Sequence, residues 1–119
     1  MRRELGAYLW DIDRAVGEIE EFLRGKQFSD YQRDAMLRAA VERKFEIIGE
    51  ALAQARRQFP EIVGRIAHDE QIIAFRNRLI HGYSLVKDEL VWDVIQTDLP
   101  LLRQQAADLL QQWENGSLS

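Results

Sequence analysis

The sequence lacks cysteine altogether, so its chemistry cannot use a thiol. Disulfide bonds, zinc sites built on thiolates and cysteine nucleophiles are therefore excluded, and we expect a reducing compartment such as the cytoplasm. The sequence also lacks an apolar run long enough to cross a bilayer, and residues 1–5 contain no apolar signal core. We therefore expect a cytoplasmic protein that does not enter a membrane.

An excess of positive charge is also missing, because the formal net charge is −4 at pH 7. A protein that coats nucleic acid without sequence preference normally carries a basic face, so this class of protein is disfavoured. A few arginines can nevertheless hold a single phosphate in a local site. The charge therefore limits nonspecific affinity for nucleic acid and leaves local phosphate chemistry open.

Residues that interrupt secondary structure are few, since only two prolines and seven glycines occur among 119 residues. No serine-rich or glycine-rich linker is present. Hydrophobic residues make up 46% and charged residues 30% of the sequence, a balance typical of folded globular proteins. The length is that of one ordinary domain. We predict a single domain over residues 1–119.

Apolar residues recur at helical spacing along the chain, and no segment alternates convincingly as a strand would. The first pattern covers residues 5–23. Ser29 or Asp30 can cap a long second helix that continues as far as Pro60. These patterns predict two amphipathic helices in the first half of the chain.

The second half of the sequence predicts a short helical turn at 61–66 and two further long helices. Asp69 is a candidate cap for the third helix, which Gly82 should end. The last helix can begin at Asp88, and Pro100 should kink it because proline removes one backbone hydrogen bond. The sequence therefore predicts an all-α antiparallel bundle of four main helices plus one short helix.

The segment from Arg76 to Tyr83 places a permanent cation, an imidazole and a phenol at one helix end. Arginine can hold a phosphate and stabilise its developing charge, and His81 is suited to proton transfer near neutral pH. This combination suits RNA cleavage by the ribose 2′-hydroxyl, which needs no metal if a base, an acid and a cation are present. One histidine cannot readily supply both the base and the acid.

Arg76 and His81 are five positions apart, so their side chains face about 140° apart on a straight helix. Either the helix unwinds before His81, or two subunits combine their residues. Each residue alone also allows a structural role, with Arg76 as a surface charge, His81 at the helix C-terminal dipole and Tyr83 packed over the turn.

Other candidate residues give weaker signals. His68 lies beside two acidic residues, but no second histidine lies at ligand spacing, so we expect no metal site. Glu46 and Glu50 lie one turn apart on a charged helix, where glutamates are usually solvated. We expect the tryptophans to lie in the core or at an interface: Trp10, Trp92 and Trp113.

The pattern Arg-x4-His-x-Tyr, with the polar Asn77 directly after Arg76, resembles the defining motif of HEPN ribonucleases and specifically of their HepT-like toxin branch. Residues 40–51, which contain the sequence Ile-Ile-Gly-Glu-Ala, resemble the long second helix of that branch. Residues 91–100 resemble its last helix. The resemblance therefore spans most of the chain.

This resemblance implies that Arg76 and His81 form the catalytic pair, that Asn77 supports them, and that Tyr83 is the motif tyrosine. HEPN proteins usually form homodimers in which the motif helices face each other across a cleft. That arrangement would bring two histidines to one site. Glu46 and Glu50 would then be candidates for residues near the cleft, behind the catalytic pair.

In HepT systems, a minimal nucleotidyltransferase antitoxin transfers AMP from ATP to the motif tyrosine with the help of magnesium. The resemblance thus implies a metal-independent endoribonuclease toxin of a type II/VII-like toxin–antitoxin module, with no cofactor of its own, inhibited by AMP transfer to Tyr83. Two other interpretations remain open. One is a noncatalytic helical dimer that binds and regulates a nucleotidyltransferase, and the other is a purely structural bundle.

Overall fold

The computed structural model describes residues 3–82 and 87–118. Over these residues the chain forms six helices and no strand, so the all-α prediction is confirmed. The helices are α1 (Leu5–Phe22), α2 (Phe28–Arg33), α3 (Ala35–Gln58), α4 (Pro60–Val63), α5 (Asp69–Gly82) and α6 (Asp88–Glu114). None of the helices in this part of the chain is long and apolar enough to cross a membrane.

Helix α1 lies between α3 and α6 and runs antiparallel to α3. Near the start of α1, the Tyr8 hydroxyl accepts a hydrogen bond of 2.6 Å from Gln58 Nε2 at the end of α3. Near its other end, Glu18 pairs with Lys44 at 3.1 Å. The apolar positions of α1 are buried, as their helical spacing predicts: Leu5, Tyr8, Leu9, Ile12, Val16 and Ile19.

Helix α6 packs on the other side of α1, also antiparallel. Trp113, near the end of α6, lies over Gly6, near the start of α1. Further along the pair, Arg103 bonds Glu20 and lies 3.4 Å from Asp13, so one guanidinium joins two carboxylates of α1. The direction of each pair is therefore fixed by contacts at both ends.

Helix α5 packs antiparallel on α3 and carries Arg76, Asn77 and His81. Arg56, near the end of α3, pairs with Glu70 at 2.5 Å near the start of α5. Phe45 and Phe75 meet edge to face with ring centroids 5.0 Å apart. Such an aromatic pair contributes about 0.5–1.5 kcal/mol beyond the area it buries. The antiparallel order of the four main helices is thus α6, α1, α3 and α5.

The predicted second helix is divided, so its prediction as one element was wrong. Asp34 has an extended backbone and accepts a 3.0 Å hydrogen bond from the Leu37 amide, which makes it the N-cap of α3. Neither Ser29 nor Asp30 is the N-cap of the long helix, because both lie inside α2, where the Asp30 side chain forms a capping box with Gln27. The Gln27 amide donates to Asp30 at 2.7 Å and lowers the pKa of that carboxyl. Asp30 and Asp34 are both suited to a helix start: Asp30 serves at the start of α2 and Asp34 at the start of α3.

Smaller differences concern the second half. The short helix at 61–66 is the four-residue α4, which begins at Pro60, so the bundle has two short helices and not one. Asp69 is the first residue of α5 and not its cap, because the Ile72 amide bonds the carbonyl of His68. Gly82 is the last described residue of α5 before residue 87, so its role as the end of the helix stays a prediction. Helix α6 contains Pro100 and continues beyond it, and the size of the bend there stays a prediction.

Candidate active site

Arg76, Asn77 and His81 lie on a single unbroken helix. Helix α5 remains α-helical from Asp69 to Gly82, so it does not unwind before His81. The Arg76 side chain is only 14% exposed and faces α3, whereas His81 and Asn77 are exposed. Tyr83 lies outside the described residues. Unwinding of the helix before His81, one of the two ways to combine Arg76 with an imidazole, is therefore not observed in the described residues.

Arg76 lies directly across the backbone of Gly49 on α3. A Cβ atom placed at Gly49 would lie 2.4 Å from the Cβ atom and 2.5 Å from the Cγ atom of Arg76. Real side chains do not come so close, so any larger residue at this position would push the two helices apart or move the arginine. In the sequence, Gly49 stands out only as part of the family resemblance. The signal for its close approach to another helix is that it is an isolated glycine inside a helical pattern.

Glu50 lies at the outer end of the arginine and is itself bonded by Gln54. Arg76 Nη2 lies 3.5 Å from Glu50 Oε2, and Gln54 Nε2 donates a 2.5 Å hydrogen bond to Glu50 Oε1. The Nε atom of Arg76 is buried and has no hydrogen-bond partner in the described part of the chain. Glu46 does not share this contact, because it pairs with Arg43 at 3.1 Å. The structure thus separates the two glutamates that the sequence had grouped together.

A groove of about 330 Å³ lies beside this contact. Its walls come from α3, from the last turns of α5 and from the start of the chain: Arg3, Asp11, Arg43, Glu46, Ile47, Glu50, Ala51, Gln54 and Ile80. The two arginines of the wall are each paired with an acidic residue, Arg3 with Asp11 and Arg43 with Glu46. The groove of one chain is consequently not basic.

The remaining candidates lie away from this place. His68 is exposed and has a left-handed backbone with φ of 64°, and residues 3–82 and 87–118 contain no group of side chains able to hold a metal ion. Trp92 is half-buried against Tyr31, with ring centroids 5.7 Å apart, and Trp113 is also half-buried. Trp10 is 50% exposed, so it does not belong to the core of the single chain.

Comparison with known proteins decides the family. The model of the family "Ribonuclease HepT-like" matches residues 12–109, which include the whole of α5 and the α3 segment beneath it. The chain belongs to the HepT-like ribonuclease family. The resemblance stated from the Arg-x4-His-x-Tyr motif is therefore confirmed, and the class of enzyme is that of a ribonuclease.

Several curated proteins resemble this HepT-like chain over most of its length. The "Probable ribonuclease HepT" of Thermococcus cleftensis is 36% identical over 87% of the chain and 93% of its own length. "Putative RNase TTE0752" of Caldanaerobacter subterraneus is 34% identical, with coverage of 87% and 92%. "Putative RNase MJ1380" of Methanocaldococcus jannaschii is 30% identical, with coverage of 87% and 94%. No solved structure matches the chain.

Proposed function

We propose that this HepT-like ribonuclease is the toxin of a type II/VII-like toxin–antitoxin module and cleaves RNA without a metal, as a homodimer. The unbroken α5 carries this proposal. Because Arg76 packs against α3 and His81 is exposed one and a half turns further on, one chain offers a phosphate-binding cation and an outward-facing imidazole. A second copy, apposed through the same helix, supplies the second imidazole that cleavage requires.

In the proposed reaction, one His81 removes the proton of the ribose 2′-hydroxyl, and the 2′-oxygen attacks the adjacent phosphorus. The bond from phosphorus to the 5′-oxygen then breaks, and the partner's His81 protonates that oxygen. The products are a 2′,3′-cyclic phosphate and a free 5′-hydroxyl, so protons balance between the two imidazoles. Arg76 stabilises the charge on the phosphorane oxygens, and Asn77, exposed beside it, supports substrate contact.

The proposal includes control by a partner. A nucleotidyltransferase antitoxin would transfer AMP from ATP to the Tyr83 hydroxyl, releasing pyrophosphate. An adenylylated phenol two residues from His81 adds negative charge and bulk where the RNA phosphate must enter. The modification would therefore exclude substrate from the site without unfolding the bundle.

Three measurements test the proposal: the intact mass of the chain, the growth of cells that express it, and the cleavage of RNA. We expect the chain co-expressed with its cognate nucleotidyltransferase to gain AMP units that map to Tyr83, and growth arrested by the chain alone to recover. The Arg76→Ala, His81→Ala double variant should be harmless and inactive on RNA, with a helical circular dichroism spectrum like that of the parent. Toxicity and RNA cleavage at parental levels in this double variant would overturn the proposal. A parent chain that is harmless alone and never modified would favour a noncatalytic partner of a nucleotidyltransferase.

A further inference from the structure

We propose that Glu50, held by Gln54 and placed beside Gly49, is a positioning residue that fixes the guanidinium of Arg76 for the phosphate. The inference rests on the proposed function for its catalytic consequence. Its structural part concerns only the orientation of one side chain. Both parts can be tested separately.

The stem of the Arg76 side chain follows a path set by Gly49. The Cβ, Cγ and Nε atoms of Arg76 all lie within 3.0 Å of the position that a Gly49 Cβ atom would occupy. The stem therefore lies flat on bare helix backbone, where no side chain of α3 competes for the space. This contact sets the direction of the stem and leaves only the terminal nitrogens to be placed.

The guanidinium at the end of that stem needs an acidic partner. The Arg76 side chain is only 14% exposed and its buried Nε atom makes no hydrogen bond in the described part of the chain. A charge with so little water around it requires a nearby opposite charge. Glu50 Oε2, 3.5 Å from Nη2, is the acidic atom paired with this guanidinium among the described residues.

Glu50 affects the orientation of Arg76 more than it affects the stability of the fold. The Glu50 side chain is 55% exposed, and ion pairs with such an exposed member contribute little to folding. Gln54 nevertheless restrains this carboxylate through a 2.5 Å hydrogen bond from one turn away. A restrained carboxylate beside a covered arginine therefore orients the cation without adding much to the stability of the fold.

The decisive measurement is the Nε–Hε signal of Arg76 in the full chain by nuclear magnetic resonance, assigned with Arg76→Lys. We expect an ordered signal in the parent, with a heteronuclear NOE close to that of the helix backbone. Glu50→Gln should lower this NOE and shift the signal. Glu46→Gln is the matched control, since it removes the same charge one turn away on the same helix but from a residue that pairs with Arg43. An Arg76 signal equally ordered in parent and Glu50→Gln would overturn the inference.

Kinetics on a fluorogenic RNA oligonucleotide give the catalytic consequence. Glu50→Gln should lower kcat about ten- to hundredfold, because small misplacement of a catalytic group has costs of this size, while KM does not rise. The fall in kcat should exceed that of Glu46→Gln by about tenfold, and Glu50→Asp should restore part of it. Equal effects of the two Gln variants would overturn the inference. If the NMR result holds and no variant or parent cleaves RNA, the proposed function fails and the positioning of Arg76 stands.

Discussion

Arg76 and His81 lie five residues apart on one unbroken helix, yet Arg76 is packed against α3 and His81 is exposed. Because α5 stays regular between them, the two side chains of one chain face about 140° apart. In one chain the two side chains therefore lie on different faces of α5. If the site needs two chains, a dimer of one parent chain and one inactive chain should lose its activity.

We predict that inactive His81→Ala chains suppress the activity of the parent chain. If both imidazoles of a dimer are needed, a mixed dimer loses either its base or its acid, each of which contributes about 10²–10⁴-fold to the rate. After equal amounts of parent and variant are unfolded together and refolded, RNA cleavage should fall to about one quarter of that of the same total amount of parent, the fraction of parent homodimers. Cleavage at one half would show that each chain acts alone.

We predict that Gly49→Ala destabilises the protein. The new methyl group would overlap the Cβ and Cγ atoms of Arg76, which belong to the stem of the side chain and not to its flexible end. Overpacking of this kind costs about 1–3 kcal/mol, more than the helix propensity gained by replacing glycine. The free energy of unfolding in urea, measured by circular dichroism, gives the change.

The matched control for this variant is Gly17→Ala on α1. A Cβ atom at Gly17 would meet only the end of the Arg103 side chain, 3.1 Å from Nη2, and that end can move. Gly17→Ala should therefore be neutral or up to about 1 kcal/mol more stable than the parent. Equal stability of the two alanine variants would contradict the close approach of Arg76 and Gly49.

We predict that Glu42→Gln stabilises the protein at neutral pH. Burial first, and then the nearby Asp88, raise the pKa of the Glu42 carboxyl, with Glu46 acting in the same direction and Arg38 against it. A carboxyl whose folded pKa is raised favours folding when protonated, and this advantage is lost as pH rises through that pKa. We expect Tm at pH 7 to rise by less than about 4 °C, because the group is partly exposed.

The pH dependence provides the check on that prediction. Below the ordinary pKa of 4.5 the parent carboxyl is protonated in both folded and unfolded chains, so the difference in Tm between parent and Glu42→Gln should disappear. A difference that persists unchanged at low pH would mean that the amide stabilises by new hydrogen bonds. The raised pKa would then not be the cause.

The main helices could be predicted from the sequence because each buries one face, and the 3.6-residue period records that face directly. The start of α6 at Asp88 followed from a local signal in the sequence. The division at Asp34 was missed because apolar spacing continues across it. Its cap hydrogen bond to the Leu37 amide depends on one local backbone conformation.

For the site, the sequence could offer Arg76, Asn77 and His81 as one motif because they are close in the chain. It could not choose between Glu46 and Glu50, since both lie one turn apart on the same charged face. Only the packing of α5 on α3 places Arg76 on Gly49 and beside Glu50, while Arg43 takes Glu46. The roles of these residues, and that of Tyr83, remain predictions.

The all-helical class, the lack of thiol chemistry and the membership in the HepT-like ribonuclease family follow from the amino-acid sequence alone, because composition, period and motif are local properties of the chain. The folded chain was needed to show that α5 stays unbroken through His81 and that Arg76 packs on Gly49 of α3. Contacts between residues distant in sequence arise from how helix faces pack, and the period of a single helix does not specify its partner's register.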